Sequence, residues 1–112
     1  MIDWALIKRE YTQSYGELIS WAYGKDDVYT VSREELFLTK FQTRNLLDFF
    51  DWRGIFIETI YHYNGMRFSC NLYRILDTKS PYISTPILNS RRDAEDAIFI
   101  HAFSFLEGRL TP

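Results

Sequence analysis

Hydrophobic and polar residues follow two different periods along this chain, and the first part of it has the spacing of helices. Apolar residues at helical spacing follow Ser14 and stop before Gly24, which suits the end of a helix. Ser14 precedes Glu17 by three residues, the spacing of a capping box. We therefore predict a helix of about ten residues that begins at Ser14, with residues 2–11 either extending it or forming a separate turn.

A second helix is predicted over residues 39–52, with Gly54 after its end. Thr39 and Gln42 have capping-box spacing, and the apolar residues that follow lie on one broad face: Leu46, Leu47, Phe49 and Phe50. Between the two helices, residues 27–31 have a composition that favours a strand, and residues 32–38 are compatible with a turn of helix.

From Ile55 the period changes to two, which predicts a β-hairpin. Two alternating runs flank Asn64-Gly65, a dipeptide suited to a type I′ turn. A two-residue loop determines the strand register. On the predicted core face the opposing pairs are Tyr63–Met66, Tyr61–Phe68, Thr59–Cys70, Ile57–Leu72 and Ile55–Arg74. On the more polar face they are His62–Arg67, Ile60–Ser69, Glu58–Asn71 and Phe56–Tyr73.

The rest of the chain predicts a loop with a short edge strand around residues 82–84, then a long helix from Ser90 to about Arg109. This helix has two apolar stripes. One contains Ala94, Ala97, Ile98, Ala102 and Phe105, with His101 among them, and the other contains Phe99, Phe103, Leu106 and Leu110. A sheet of two or three strands covers only one stripe, so the Phe99 stripe is expected to meet another helix of the chain or a partner chain.

Composition and length indicate a single α+β domain over residues 1–112: N-terminal helices, then a hairpin or three-stranded antiparallel sheet packed by a C-terminal helix. Hydrophobic residues make up 46% of the 112 residues, enough for a core. The net charge of −2 disfavours nucleic-acid binding. The single cysteine excludes an internal disulfide, and no apolar run is long enough to span a membrane, so a cytoplasmic location is expected.

The chain from Thr39 onward resembles small uncharacterised proteins of bacteria and their phages. The residues that carry the resemblance are helix caps and packing positions: Thr39, Gln42, Ser90, Arg91, Asp93, Ala94, Ala97, Ile98, Ala102, Phe103, Leu106 and Glu107. The resemblance implies a fold and a bacterial or phage origin. It implies no reaction.

Candidate reactive residues favour structural roles. His62 and Glu58 share a strand face but are separated by about 13 Å, too far for direct contact. His101 is expected to be a core histidine, and Cys70 a buried thiol with a raised pKa. We predict no catalytic residue, metal site, cofactor or small-molecule ligand. Arg91 and Arg92, in the first turn of the last helix, are the first choice for an anion contact.

Two functional hypotheses follow. The first is a non-catalytic module for protein interaction or self-association, most simply a homodimer, that uses Phe99, Phe103, Leu106 and Leu110. The second is a weak binder of single-stranded nucleic acid that stacks bases on Phe56 and Tyr73. Its phosphate contacts would come from Arg67, Arg53, Arg91 and Arg92.

Overall fold

Four helices and a three-stranded antiparallel sheet form the part of the chain that a computed structural model describes, residues 2–25, 43–63, 65–74 and 81–110. In chain order the elements are α1 (Trp4–Glu10), α2 (Thr12–Lys25), α3 (Thr43–Trp52), β1 (Ile55–His62), β2 (Arg67–Arg74), β3 (Ile83–Ser84) and α4 (Arg91–Leu110). The predicted α+β fold is confirmed. The predictions for residues 27–31 and 32–38 and for the helix start at residues 39–42 lie outside the described residues.

The N-terminal segment forms two helices that meet at Tyr11. Asp3 caps α1 by accepting a hydrogen bond from the Leu6 amide at 3.1 Å, and the Tyr11 amide closes α1 by donating to the Ile7 carbonyl at 2.8 Å. Of the two alternatives for residues 2–11, the structure thus shows a separate element, which is a helix. None of the described helices combines the length and the apolar character needed to cross a membrane.

The predicted cap at Ser14 is wrong. The helix α2 begins at Thr12 and continues past Gly24 to Lys25, so Ser14 lies inside its first turn. The Ser14 side chain is buried, and its hydroxyl donates to the Phe103 carbonyl of α4 at 3.0 Å. The caps of α2 come from elsewhere. Glu107 of α4 accepts from the Ser14 amide at 2.8 Å and from the Gln13 amide at 3.3 Å, which satisfies free donors of the first turn.

The hairpin has the predicted register. All eight pairs from Ile55–Arg74 to His62–Arg67 are present, and Gly54, at φ 76°, separates α3 from β1. The turn differs, because positive φ angles occur at Gly65 (101°) and Met66 (52°). The strands therefore end one pair earlier than predicted, and Tyr63 and Met66 belong to the connection. The longer turn leaves the register unchanged because one residue is removed from each strand.

The strand β3 confirms the predicted short edge strand and continues into an irregular segment. Ser84 pairs with Asn71, whereas the next bridge joins Leu88 to Phe68, so the segment has one residue more than β2 over this stretch. The extra length includes Pro86, which has no amide to donate. Thr85 compensates in part, since its hydroxyl accepts from the Cys70 amide at 2.8 Å.

The helix α4 lies at the centre of the molecule, and both of its apolar stripes are largely covered by the same chain. The Phe50 ring of α3 packs on Phe99 and Phe103 at centroid distances of 6.1 and 5.0 Å. Trp4 of α1 contacts Phe103 at 6.1 Å. The buried members of the core on α4 are Ala94, Ile98, Phe99, Ala102, Phe103 and Leu106.

The predicted interface stripe is therefore wrong as an exposed surface. Phe99, Phe103 and Leu106 are at most 1% exposed, and Leu110 is half-buried against the core. The sequence argument left two covers open for this stripe, another helix of the chain or a partner chain, and the interface hypothesis took the partner. In the structure the sheet packs against α4 while the helices α2 and α3 also pack against it, so the second stripe meets helices of its own chain.

Candidate functional site: the tip and outer edge of the hairpin

Exposed apolar side chains collect at the turn end of the hairpin. Tyr63 is 87% exposed, Met66 71% and Tyr61 42%, and we call these three residues the hairpin tip. The Tyr61 ring lies 5.3 Å from the Tyr63 ring and 5.2 Å from the half-buried Phe68 ring. The tip is therefore an exposed aromatic surface continuous with the edge of the core.

The residues of the hairpin tip were predicted to lie on the core face of the hairpin, and the structure corrects this. Ile55, Cys70 and Leu72 on that face are buried as expected. The coverage ends near Phe68, where α4 begins, and the guanidinium of Arg91 lies 5.5 Å from the Phe68 ring centroid. Beyond this point no described element packs over the hairpin, so its last residues meet solvent.

The opposite face of the sheet carries a network of polar groups. Oε1 of Glu58 accepts from the Tyr73 hydroxyl at 3.1 Å and from the side-chain Nδ2 of Asn71 at 3.3 Å. Oδ1 of Asn71 accepts from the Ser84 hydroxyl at 2.7 Å, which extends the network across all three strands. At the turn end, Nε2 of His62 lies 2.8 Å from the Ser69 hydroxyl.

The candidate nucleic-acid residues do not form one surface. Phe56 and Tyr73 are direct partners across the strands, and Arg67 is on the same face but about 20 Å further along β2. Arg91 packs against Phe68, which is on the other side of the sheet. Arg91 and Arg92 are both exposed.

Ser90 occupies part of the proposed anion site. Its hydroxyl accepts from the Asp93 amide at 3.0 Å, which confirms the predicted helix cap. Arg91 also faces the half-buried Glu95: burial raises the pKa of this carboxyl and Asp96 adds to the rise, while Arg91 opposes it. The Asp93 amide in the first turn of α4 therefore already has an acceptor, and acidic side chains lie close to it. Both features disfavour a bound anion.

The predictions for His101 and Cys70 have different outcomes. His101 was predicted to be a core residue, but it is exposed. It lines an open groove of about 390 Å³ with Tyr82, Phe105 and Arg109, because the two-residue β3 does not extend over this side of α4. Cys70 is buried as predicted. Burial raises the pKa of its thiol, and the nearby Thr59 hydroxyl, 3.4 Å from Sγ, partly opposes the rise.

Within the described residues, no three His, Cys, Asp or Glu side chains come together in a group that would hold a metal ion. Comparisons of the chain with protein-family models, with curated proteins and with solved structures found no match. The resemblance to bacterial and phage proteins therefore stays a prediction, and function is inferred from the surface chemistry.

Proposed function

We propose that this chain is a non-catalytic module for protein interaction or self-association, and that its contact surface is the hairpin tip together with the outer edge of β1. The observation that carries the proposal is the exposure of Tyr61, Tyr63 and Met66 at the turn end of the hairpin, where the two tyrosine rings are 5.3 Å apart. Aromatic and methionine side chains are enriched in interface centres, where they bury a large area at a low cost in conformational entropy.

The edge of β1 supports the same surface. Among the described strands β1 pairs with β2 alone, so its other side is an edge of the sheet. The strand has eight residues, and Glu58 is its only Asp, Glu, Lys or Arg; it contains no proline. Charged residues and prolines are common means of protecting an edge strand from pairing. An edge with so little protection is suited to the addition of another strand.

Protein interaction is favoured over binding of single-stranded nucleic acid. The rings that would stack bases, Phe56 and Tyr73, flank the Glu58 carboxylate, which accepts the Tyr73 hydrogen bond. A carboxylate at this position repels a phosphate backbone. Arg67 and Arg91, which would attract phosphates, lie on opposite sides of the sheet.

Sedimentation velocity tests the proposal directly. The wild-type chain should associate as its concentration rises, and a Tyr63→Ser/Met66→Ser variant should sediment as a monomer because it loses the exposed apolar area. Trp52→Ser provides the matched control, since Trp52 is also 57% exposed but lies beyond the other end of β1.

A wild-type chain that is monomeric at concentrations on the order of 1 mM would exclude even a weak self-association. If that chain also bound a single-stranded oligonucleotide at low salt, and lost it as salt rose, the nucleic-acid hypothesis would replace the proposal.

A further inference from the structure

The hydrogen bonds of β2 show which backbone groups of β1 point outward. The N–H and C=O groups of Phe68 bond to Leu88, the Cys70 carbonyl accepts from Thr85, and the Leu72 carbonyl accepts from Tyr82, all on the β3 side. Because these directions alternate along a strand, the intervening residues of β2 bond to β1. Their partners on β1 are Phe56, Glu58, Ile60 and His62.

It follows that Ile57, Thr59 and Tyr61 direct their backbone N–H and C=O groups to the outer edge of β1. A second copy of β1 that pairs antiparallel about a two-fold axis must match these residues with one another. Three central registers satisfy this condition, with the axis at Glu58, at Thr59 or at Ile60.

Charge distinguishes the three registers. An axis at Glu58 places this carboxylate against its own symmetry copy, and an axis at Thr59 places it against Ile60. An axis at Ile60 places Glu58 of each protomer opposite His62 of its partner, and the symmetry produces this pair twice. It also brings Tyr63 of the tip next to the half-buried Ile57 of the partner.

Glu58 and His62 each have one side-chain hydrogen-bonding atom that is not used. Glu58 uses Oε1 for Tyr73 and Asn71, which leaves Oε2, and His62 uses Nε2 for Ser69, which leaves Nδ1; in the described part of the chain neither remaining atom has a partner. Within one chain the two residues are about 13 Å apart and cannot meet. In the dimer they occupy a non-hydrogen-bonded pair, where opposing side chains come closest.

We propose that the outer edge of β1 binds β1 of a second copy of this chain, antiparallel about a two-fold axis at Ile60, with Glu58 of each protomer facing His62 of the other. The inference rests on the proposed self-association and specifies its geometry. The result is a continuous sheet that joins the three described strands of each protomer.

Cysteine cross-linking tests the register. Ile60→Cys should form a covalent dimer in high yield under mild oxidation, because the axis places this residue opposite its own copy within disulfide reach. Phe56→Cys is the matched control: it lies on the same face of β1, but its copy would be about 26 Å away. The wild-type chain is a second control, because its one cysteine is buried.

Exchanging the charges tests the pairing. Glu58→Lys and His62→Glu should each weaken the dimer, with a Kd raised roughly tenfold because two symmetric pairs are affected. The double variant should place opposite charges across the pair and recover most of the affinity. Far-UV circular dichroism of each variant verifies that the monomer fold is kept.

The outcomes separate the two proposals. The Ile60 register would be overturned, with self-association intact, if the wild-type chain dimerised but the Glu58→Cys chain cross-linked to its own copy. A heterodimer cross-linked between Glu58→Cys and Ile60→Cys chains would have the same meaning. A wild-type chain that stays monomeric would overturn both the register and the self-association on which it rests.

Discussion

Buried polar groups illustrate what individual residues contribute to this fold. The Ser14 hydroxyl donates to the Phe103 carbonyl, and the Cys70 amide donates to the Thr85 hydroxyl. Each pair removes the cost of burying an unsatisfied group, which is about 1–3 kcal/mol. Alternation along β2 predicted that Cys70 is buried. It contained no information about Thr85, whose hydroxyl reaches Cys70 only because β3 pairs with β2.

Glu95 should make stability depend on pH. Burial raises the pKa of this carboxyl above its ordinary value of 4.5, so the folded state binds the proton more tightly than the unfolded state. Its favourable contribution is complete below the ordinary value and is lost as pH rises through the raised pKa. We expect Glu95→Gln to increase the free energy of unfolding near pH 7 and to reduce its pH dependence.

Urea denaturation at several pH values between 4 and 7 measures this effect. Glu10→Gln, at an exposed carboxylate, is the control for the removal of one negative charge. The expectation fails if the Glu95→Gln and wild-type stabilities run parallel over this range. Asp51, whose pKa is also raised by burial, contributes with the same sign, so part of the dependence should remain.

Helix ends show how elements depend on one another. The local rule succeeded at Ser90, where the hydroxyl and the amide it caps belong to the same turn. It failed at Ser14, because the amides of the α2 start are capped by Glu107, 93 residues away from Ser14 in the chain. Glu17, the expected partner of Ser14, instead lies 4.0 Å from the Arg53 guanidinium. Capping across helices leaves no pattern in the local sequence.

Replacing Glu107 should therefore weaken the contact between α2 and α4. Glu107→Ala removes the acceptor for two backbone amides, and we expect a loss of about 1–2 kcal/mol in the free energy of unfolding. Glu107→Gln keeps one acceptor oxygen and should lose less. Equilibrium denaturation in urea provides the measurement, and equal stability of the alanine variant and the wild type would contradict the capping role.

At the scale of the molecule, the described helices α1, α2 and α3 decide which surface is exposed. They place α4 between a helical layer and the sheet, and a helix in this position is apolar on both sides. The aromatic surplus of the sequence is consequently divided. Phe49, Phe50, Phe99 and Phe103 fill the core, and Tyr61 and Tyr63 remain outside it.

Phe103→Glu distinguishes the structure from the expectation of an exposed stripe. An exposed stripe predicts a soluble, folded monomer for this variant. The structure predicts that it unfolds, because the loss of a buried Phe side chain alone costs about 3–5 kcal/mol and a buried carboxylate adds to it. This approaches the whole stability of a small domain.

Thermal unfolding followed by circular dichroism checks the prediction. Ile87→Glu, at an exposed apolar side chain outside the proposed contact surface, is the matched control and should keep a Tm close to that of the wild type. A folded Phe103→Glu chain with an unchanged Tm would show that the residue is not in the core.

Local patterns in the chain were enough to predict the α+β class, the register of the hairpin, the α3 and α4 helices and the burial of Cys70. These follow from periodicity and turn chemistry, which act over a few neighbouring residues. Four other features depend on how distant elements pack: the Phe99 stripe is buried, Glu107 caps α2, His101 is exposed and the hairpin tip is left uncovered. The physical reason is that exposure depends on which distant elements pack over a residue, and an apolar side chain has the same sequence pattern whether its cover comes from its own chain or from a partner.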